Sequence, residues 1–298
     1  MMKMFVVILL ISSSSSPLVA QDLPGGDKIL LRHYREGEKL RYRMKAVNED
    51  WQYEIQADGV VKKDSAGNYF EEYQWSNMIS DGQKAILSPA SLGFRQRLSL
   101  DPNVTPGQPN LDQIERKLHG PILDFMTFYA DLWLAVKLGN LNHAGDHFYF
   151  PLNMAPSWAD GSYTLIGEDS IDFDFTLKEI SQSDKIATLL IRHVPPEKPR
   201  VKLPADWMQK PVADTANNWV QVQKTKDGKY SAGVGKETLD VVIKLSLTDG
   251  KILSATMNNP VVTIERECKD AAATKCGDPK PYLIKRQIEI SLEHQETL

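Results

Sequence analysis

The chain has 298 residues, of which 42% are hydrophobic and 25% charged, and its formal net charge is −4. This apolar content is enough to bury a sizeable core, which excludes a globally disordered chain. The mild acidity, without a block of basic residues, argues against nucleic acid as a partner.

The first twenty residues have the layout of a cleavable secretory signal peptide. A lysine near the start precedes an apolar run, a serine tract, a proline and a small residue, Ala20. The apolar run is too short to cross a bilayer, which needs about 20 residues. We expect a signal peptide over residues 1–20, cleavage near Ala20, and an extracytoplasmic protein, periplasmic or secreted. A buried N-terminal strand is the alternative.

Alternating apolar and polar residues dominate the rest of the chain. The stretch LDVVIKLSL at 239–247 places five apolar side chains on one face, and IDFDFTLK at 171–178 repeats the pattern. This period is typical of antiparallel sheets with one buried face and one wet face. Strands are predicted near residues 39–47, 51–62, 68–79, 93–100, 146–151, 162–168, 170–181, 185–194, 217–225, 229–234, 237–248, 251–266 and 281–294.

Asp-Gly pairs predict hairpin turns between these strands, because they accept the positive φ angles of tight turns. The predicted turns are the Asp-Gly pairs at 58–59, 81–82, 160–161, 227–228 and 249–250, and the sequence SAGN at 65–68.

A proline-rich arm interrupts the strands at residues 195–211, where five prolines occur. Proline removes a backbone donor and fixes φ, so we predict an extended, irregular segment here. We expect a single β-rich domain over residues 21–298 with this arm as a long loop. Two sub-halves, 27–153 and 156–294, are the alternative.

The stretch GPILDFMTFYADLWLAVKLG at 120–139 predicts an apolar helix. Its charges at Asp124, Asp131 and Lys137 would each cost about 2.5–3.5 kcal/mol near a bilayer centre, so it is not expected to span a membrane. Asp124 and Asp131 project from the same side of the helix, near Thr127, and predict one narrow wet stripe on an otherwise buried helix. We expect no transmembrane segment after the signal peptide.

These elements predict a mainly β fold, in which an antiparallel, strongly curved sheet or open barrel holds the apolar helix in its concave face. The helix either completes a solid core or covers an apolar cavity. The candidate ligand-binding residues for such a cavity are aromatic residues at inward positions, aromatic residues of the helix, and one inward-facing arginine: Tyr42, Trp51, Tyr53, Trp75, Phe125, Tyr129, Trp133 and Arg286.

Arg286 lies at an inward position of its strand, where a charge needs a partner or an opening to water. A buried ion pair, a position at the sheet edge and a ligand contact are the three alternatives. No nucleophile, Walker A or dinucleotide motif is present, so no catalytic residue and no cofactor are predicted.

Two small clusters remain. In HAGDH, at 143–147, the residues His143, Asp146 and His147 are weak metal candidates, but a turn leading into a strand explains the stretch equally well. The two cysteines, Cys268 and Cys276, have no further cysteine to pair with. In an oxidising compartment we expect a structural disulfide that closes a loop between two strands, with two free thiols as the alternative.

Several short phrases carry a resemblance to a known group of proteins. They are YREGEKLRYRM at 34–44, AGDHF at 144–148, YTLIGEDSI at 163–171 and TDGKILSATM at 248–257. In this order they resemble bacterial secreted β-rich proteins of unknown function, which are similar in outline to the LolA-like periplasmic lipoprotein carriers. The resemblance implies an open β-barrel with helices packed in its concavity, and it assigns no functional residue. The chain departs from the carriers in its greater length and its proline-rich arm.

Three functions follow as expectations. The first is a non-enzymatic periplasmic or secreted protein that binds an apolar small molecule, such as a lipid or acyl chain. The second is a structural or protein-interaction module of the cell envelope. The third is a metal-dependent hydrolase that uses the HAGDH region.

Overall fold

The structure is a computed structural model that describes residues 28–48, 51–153, 157–159, 162–165, 170–194, 205–225 and 227–294. In these residues the protein is mainly β, as predicted, and its strands form two antiparallel sheets. The predicted signal peptide, the 160–161 turn and most of the proline-rich arm lie outside the described residues.

The first half of the chain contains β1 (Lys39–Asn48), β2 (Trp51–Lys63), β3 (Tyr69–Ser80), β4 (Gln83–Lys84), α1 (Pro89–Gly93), β5 (Gln96–Leu98), α2 (Arg116–Leu138) and β6 (His147–Asn153). The second half contains β7 (Ser157–Ala159), β8 (Ser162–Leu165), β9 (Ser170–Ser181), β10 (Ile186–Val194), a 3-10 helix (Asp206–Gln209), β11 (Trp219–Lys224), β12 (Tyr230–Glu237), β13 (Asp240–Ser246), β14 (Ile252–Asn258), β15 (Val261–Cys268), β16 (Lys280–Ile284) and β17 (Arg286–His294).

The larger sheet has eleven strands in the order β4-β3-β2-β1-β17-β14-β13-β10-β9-β6, with β5 paired to β3. The smaller sheet has six strands in the order β16-β15-β12-β11-β8-β7. Because β1 pairs with β17, the first and last described strands are neighbours. Neither sheet closes on itself among the described residues. The predicted strong curvature and the choice between one domain and two sub-halves stay predictions.

Two of the predicted strands are wrong, because each is divided between the two sheets. The predicted strand at 251–266 is β14 in the larger sheet and β15 in the smaller one, separated at Pro260, which has no N–H to donate to a ladder. The predicted strand at 281–294 divides at Lys285 into β16 and β17. The alternation of buried and exposed positions continues across this second break, since Ile284, Arg286 and Ile288 are all buried.

Three of the Asp-Gly pairs and the SAGN sequence are turns, and their glycines have positive φ angles: Gly67, Gly82, Gly228 and Gly250. The turn predicted at Asp58-Gly59 is wrong, because both residues lie inside β2. Gly59 serves packing instead. A Cβ atom there would lie 2.3 Å from Cε1 of the Tyr73 ring, which occupies the space above the glycine.

The core of the larger sheet includes the predicted apolar helix, α2. Of its 23 residues, 17 are buried, and 12 of these belong to one hydrophobic cluster with the inward face of the larger sheet. The predicted wet stripe is wrong, since Asp124 and Asp131 are only 3% and 2% exposed. Among the described residues, no helix is long and apolar enough to cross a membrane.

The expected disulfide is present, and it joins Cys268 at the end of β15 to Cys276. It belongs to a second, smaller core under the smaller sheet. The main chain of the loop it closes accepts a hydrogen bond at the carbonyl of Ala273 from the indole of Trp207, at 2.9 Å. The disulfide therefore closes the loop, and the Trp207 hydrogen bond attaches it to the segment that carries the 3-10 helix.

The close packing at Gly59 is tested by Gly59→Ala. The added methyl group must displace the Tyr73 ring, so we expect the free energy of unfolding to fall by about 1–3 kcal/mol in urea denaturation. Gly93→Ala is the matched control, because nothing lies within 4 Å of its Cβ position, and it should change stability by at most about 0.5 kcal/mol. Equal stabilities of the two variants would contradict the packing argument.

Candidate functional site

Asp124 on α2 is held by two side chains of the larger sheet. Arg286 donates from Nη2 to Oδ1 of Asp124, and the Tyr53 hydroxyl donates to Oδ2 at 2.9 Å. Arg286 is 6% exposed, so both charges are out of water and each compensates the other. Of the three alternatives for Arg286, the structure therefore contains the buried ion pair.

This ion pair continues into a polar chain that reaches the smaller sheet. Arg286 donates from Nη1 to Oδ1 of Asn259 at 3.2 Å, and Asn259 donates from Nδ2 to Oε1 of Glu237 at 2.9 Å. Asn218 exchanges two hydrogen bonds with the main chain of Glu237. Burial raises the pKa of Glu237, while Asn259 and Arg286 oppose that shift. The chain of contacts thus links α2, the larger sheet and the smaller sheet.

A second buried network lies near the start of the described chain. Arg32 bonds to Glu38 at 2.7 Å and to Glu71 at 3.0 Å. Lys251 bonds to Glu38 at 3.0 Å and to Asp249 at 2.8 Å. Every charge in this network has a partner of opposite sign, so its burial is compensated.

The helix joins this second network through Tyr129. Its hydroxyl donates to Oε2 of Glu71 and lies 2.7 Å from the hydroxyl of Tyr73, which bonds to the same carboxylate oxygen at 2.9 Å. Burial, and then the negative charge of Glu71, raise the pKa of Tyr129 well above its usual value. Both phenols therefore stay protonated and act as donors.

Asp131 differs from Asp124, because its Oδ2 atom is buried without a hydrogen-bond partner among the described residues. Burial raises its pKa from 3.8 to about 7. The Asp131 carboxyl is therefore neutral in the folded protein at low pH. Its ionisation near neutral pH lowers the stability of the folded state, because the charge is buried.

The candidate ligand-binding residues lie together in the packed core. The ring of Phe125 meets the rings of Tyr42 and Trp75 at centroid distances of 5.4 and 5.5 Å. Trp51 and Tyr53 pack against each other at 4.7 Å. These rings fill the space between α2 and the larger sheet.

Tyr129 packs against Phe125 and Tyr73 on the side of the helix that faces the larger sheet, whereas Trp133 has a different neighbour. The indole of Trp133 donates to the carbonyl of Asp101 at 3.0 Å, so it faces the loop after β5. Tyr129 is the candidate that lines the groove beside α2, and Tyr53 lines a separate surface pocket near Gln52. The ligand-binding role of all eight candidates stays a prediction.

A groove of about 440 Å³ lies beside α2, between β3, β5 and the loop at 104–110. Met126 and Tyr129 of the helix contribute to its lining. Other apolar and aromatic side chains line it as well: Tyr69, Phe70, Phe94, Leu98, Val104, Pro106 and Pro109. Of these residues, only Tyr129 was among the candidates predicted from the sequence. One sequence signal for the loop at the edge of the groove is the Thr-Pro-Gly-Gln-Pro run at 105–109. Its two prolines and its glycine do not continue a strand or a helix.

HAGDH is a turn that leads into β6, one of the two interpretations of that stretch. The Asp146 carboxylate accepts hydrogen bonds from the backbone of Asn142 and His143, each at 2.8 Å, and these bonds lower its pKa. The His147 ring instead packs edge-on against Tyr149. Among the described residues, no group of three or more His, Cys, Asp or Glu side chains could hold a metal ion.

Comparison with known proteins finds no matching family model, no matching curated protein and no matching solved structure. The resemblance to LolA-like carriers therefore stays a prediction, and function is inferred from the residues and geometry described above.

The buried ion pair predicts strong coupling between Asp124 and Arg286. Arg286→Met should lower the free energy of unfolding by about 3–5 kcal/mol, because it leaves Asp124 buried without its counter-charge. The double variant Asp124→Leu with Arg286→Met should recover at least half of that loss. Urea denaturation of the single and double variants measures the coupling, and additive losses would contradict the pair.

Asp131 predicts a pH dependence of stability. Its pKa is higher in the folded state, so the cost of burial is absent below about pH 4, grows between pH 4 and 7, and is complete above pH 7. The free energy of unfolding of Asp131→Asn, relative to that of the natural protein, should therefore be ~2–3 kcal/mol higher at pH 8 than at pH 5.

The control is Asp240→Asn, on the exposed side of β13. The quantity to compare is the stability difference from the natural protein at pH 5 and at pH 8. If Asp131→Asn and Asp240→Asn show the same change with pH, the buried carboxyl at Asp131 is not the cause.

Proposed function

We propose that this is a non-enzymatic extracytoplasmic protein that binds an apolar ligand, such as a lipid or acyl chain, in the groove beside α2. The groove itself carries the proposal. Its volume of about 440 Å³ lies within the range of ligand pockets, about 300–1,000 Å³, and its lining is predominantly aromatic and aliphatic. Each methylene group of a ligand buried there would contribute about 0.8 kcal/mol.

The groove is formed without any movement of the helix. Tyr129, on its lining, is held by its hydrogen bond to Glu71, and the neighbouring Phe125 packs under it at a centroid distance of 5.2 Å. A preformed wall of this kind lowers the cost of ordering side chains on binding. The ligand would therefore lie against the helix rather than beneath it.

The proposed protein is extracytoplasmic, and its larger sheet is strongly curved as an open barrel. A disulfide between Cys268 and Cys276 fits an oxidising, extracytoplasmic environment. The burial of α2 around most of its circumference favours a larger sheet that curves about it as an open barrel, the arrangement of the LolA-like carriers. Lipid binding in the groove would extend that likeness to function.

An interaction module of the cell envelope is the second candidate, and one surface favours it. Val262 on β15 and Leu283 on β16, the edge strand of the smaller sheet, are directly paired and are 43% and 45% exposed. Exposed apolar side chains at a sheet edge are typical of protein contacts. If the protein is an interaction module, the groove beside α2 would bind no ligand.

Binding in the groove is tested by native mass spectrometry of the protein incubated with palmitic acid. We expect one bound copy, and at least tenfold weaker binding by Val104→Trp, because the larger side chain fills the groove. Val262→Trp adds the same side chain at the edge of the smaller sheet and is the control. A protein that stays unliganded, or equal binding by the two variants, would count against the proposal.

A further inference from the structure

We infer that the ligand of the groove is an anionic amphiphile, a long-chain carboxylate or an acidic lipid, whose head group is bound by Arg95 and Arg97. This inference rests on the proposed function of the groove. It adds the charge of the ligand and the residues that select it.

Arg95 and Arg97 are both exposed and both line the groove. They are two residues apart in an extended segment, with the buried Gln96 between them, so they project from the same side of the chain. Successive residues in a strand are about 3.3 Å apart, which places the two side chains roughly 7 Å from each other at their Cα atoms. Two guanidinium groups at this spacing can meet on one carboxylate or phosphate.

Each arginine is oriented by its surroundings. Arg95 donates from Nη1 to the carbonyls of Leu92 and Phe94, each at 3.0 Å, and forms no ion pair among the described residues. Its charge is thus not neutralised by a carboxylate of the described chain. A guanidinium has five donors in a planar fork, so further donors remain for an anion.

Arg97 is held in a different way. Its guanidinium lies 4.9 Å from the centre of the Phe70 ring, which also lines the groove, and its Nε atom donates to Glu72 at 3.2 Å. Glu72 is shared with Lys62, at 2.5 Å, so one carboxylate serves two cations. The Phe70 ring thus joins the apolar groove to the charged rim.

The charges around the groove favour an anion. Of the charged residues that line the groove, Arg95 and Arg97 are cationic and Asp64 is anionic, although the whole chain has a net charge of −4. Asp64 is engaged in its own turn, where it accepts hydrogen bonds from the backbone of Ala66 and Asn68. A positive rim on an apolar groove complements a ligand with a negative head and an apolar chain.

Three probes with the same twelve-carbon chain test the inference: laurate, 1-dodecanol and dodecyltrimethylammonium. Native mass spectrometry should show laurate bound at least tenfold more tightly than either of the others. Inorganic phosphate, which has the charge without the chain, should not bind measurably. The double variant Arg95→Gln with Arg97→Gln should weaken laurate at least tenfold and leave dodecanol within about twofold.

Lys244→Gln, which removes an exposed cation from β13, is the control and should bind laurate like the natural protein. The single variant Arg95→Gln repeats the test if the double variant does not fold, since Arg95 forms no ion pair with any residue that the structure describes. The inference of an anionic head group would be overturned by equal binding of the three probes, or by unchanged laurate binding in the arginine variants. The groove would then still be an apolar binding site. Phosphate binding as tight as laurate would overturn the amphiphile, and no binding of any chain would overturn the proposed function itself.

Discussion

The ion pair between Asp124 and Arg286 is the contact around which the two sheets and the helix are arranged. An unpaired charge in the interior costs several kcal/mol, so the two groups can be buried only together. Asp124 lies on α2, Arg286 begins β17, and Asn259 extends the contact towards Glu237 on the smaller sheet. The strand crossings near Pro260 and Lys285 bring these residues to one place.

The position of α2 follows from this constraint, and so does the character of the groove. Lifting the helix would separate Asp124 from Arg286 and Tyr129 from Glu71, and would expose 17 buried residues. The helix is therefore a fixed wall rather than a cover that opens. The proposed ligand site lies on the side of α2 that faces the loop at 104–110, where Met126 and Tyr129 line the groove.

Much of the fold can be predicted from the sequence, because period-two alternation and turn residues act locally. Strands such as β2, β9 and β10 lie within one residue of the predicted limits. Alternation does not reveal where a strand changes partners, which is why the crossings at Pro260 and Lys285 were missed. The wrong turn prediction at Asp58-Gly59 has a similar cause, since the role of Gly59 depends on the Tyr73 ring from another strand.

The candidate site was less predictable, for a related reason. Two aspartates seven residues apart on a helix normally indicate a wet stripe, and only the distant Arg286 and Tyr53 show that Asp124 is buried. The inward phase of Arg286 indicated a charge that needs a partner or an opening to water, but it left three alternatives open and did not identify Asp124. The groove is made by a loop without periodic pattern, so its lining could not be read from spacing.

Hydrogen–deuterium exchange, followed by mass spectrometry with and without laurate, tests this account most directly. The account predicts that the amides of α2 between residues 120 and 136 exchange slowly in both states, while peptides covering 94–110 become more protected when laurate is added. Rapid exchange in α2, or protection gained by the helix and not by the 94–110 segment, would show that the helix opens over a cavity beneath it and would contradict the account.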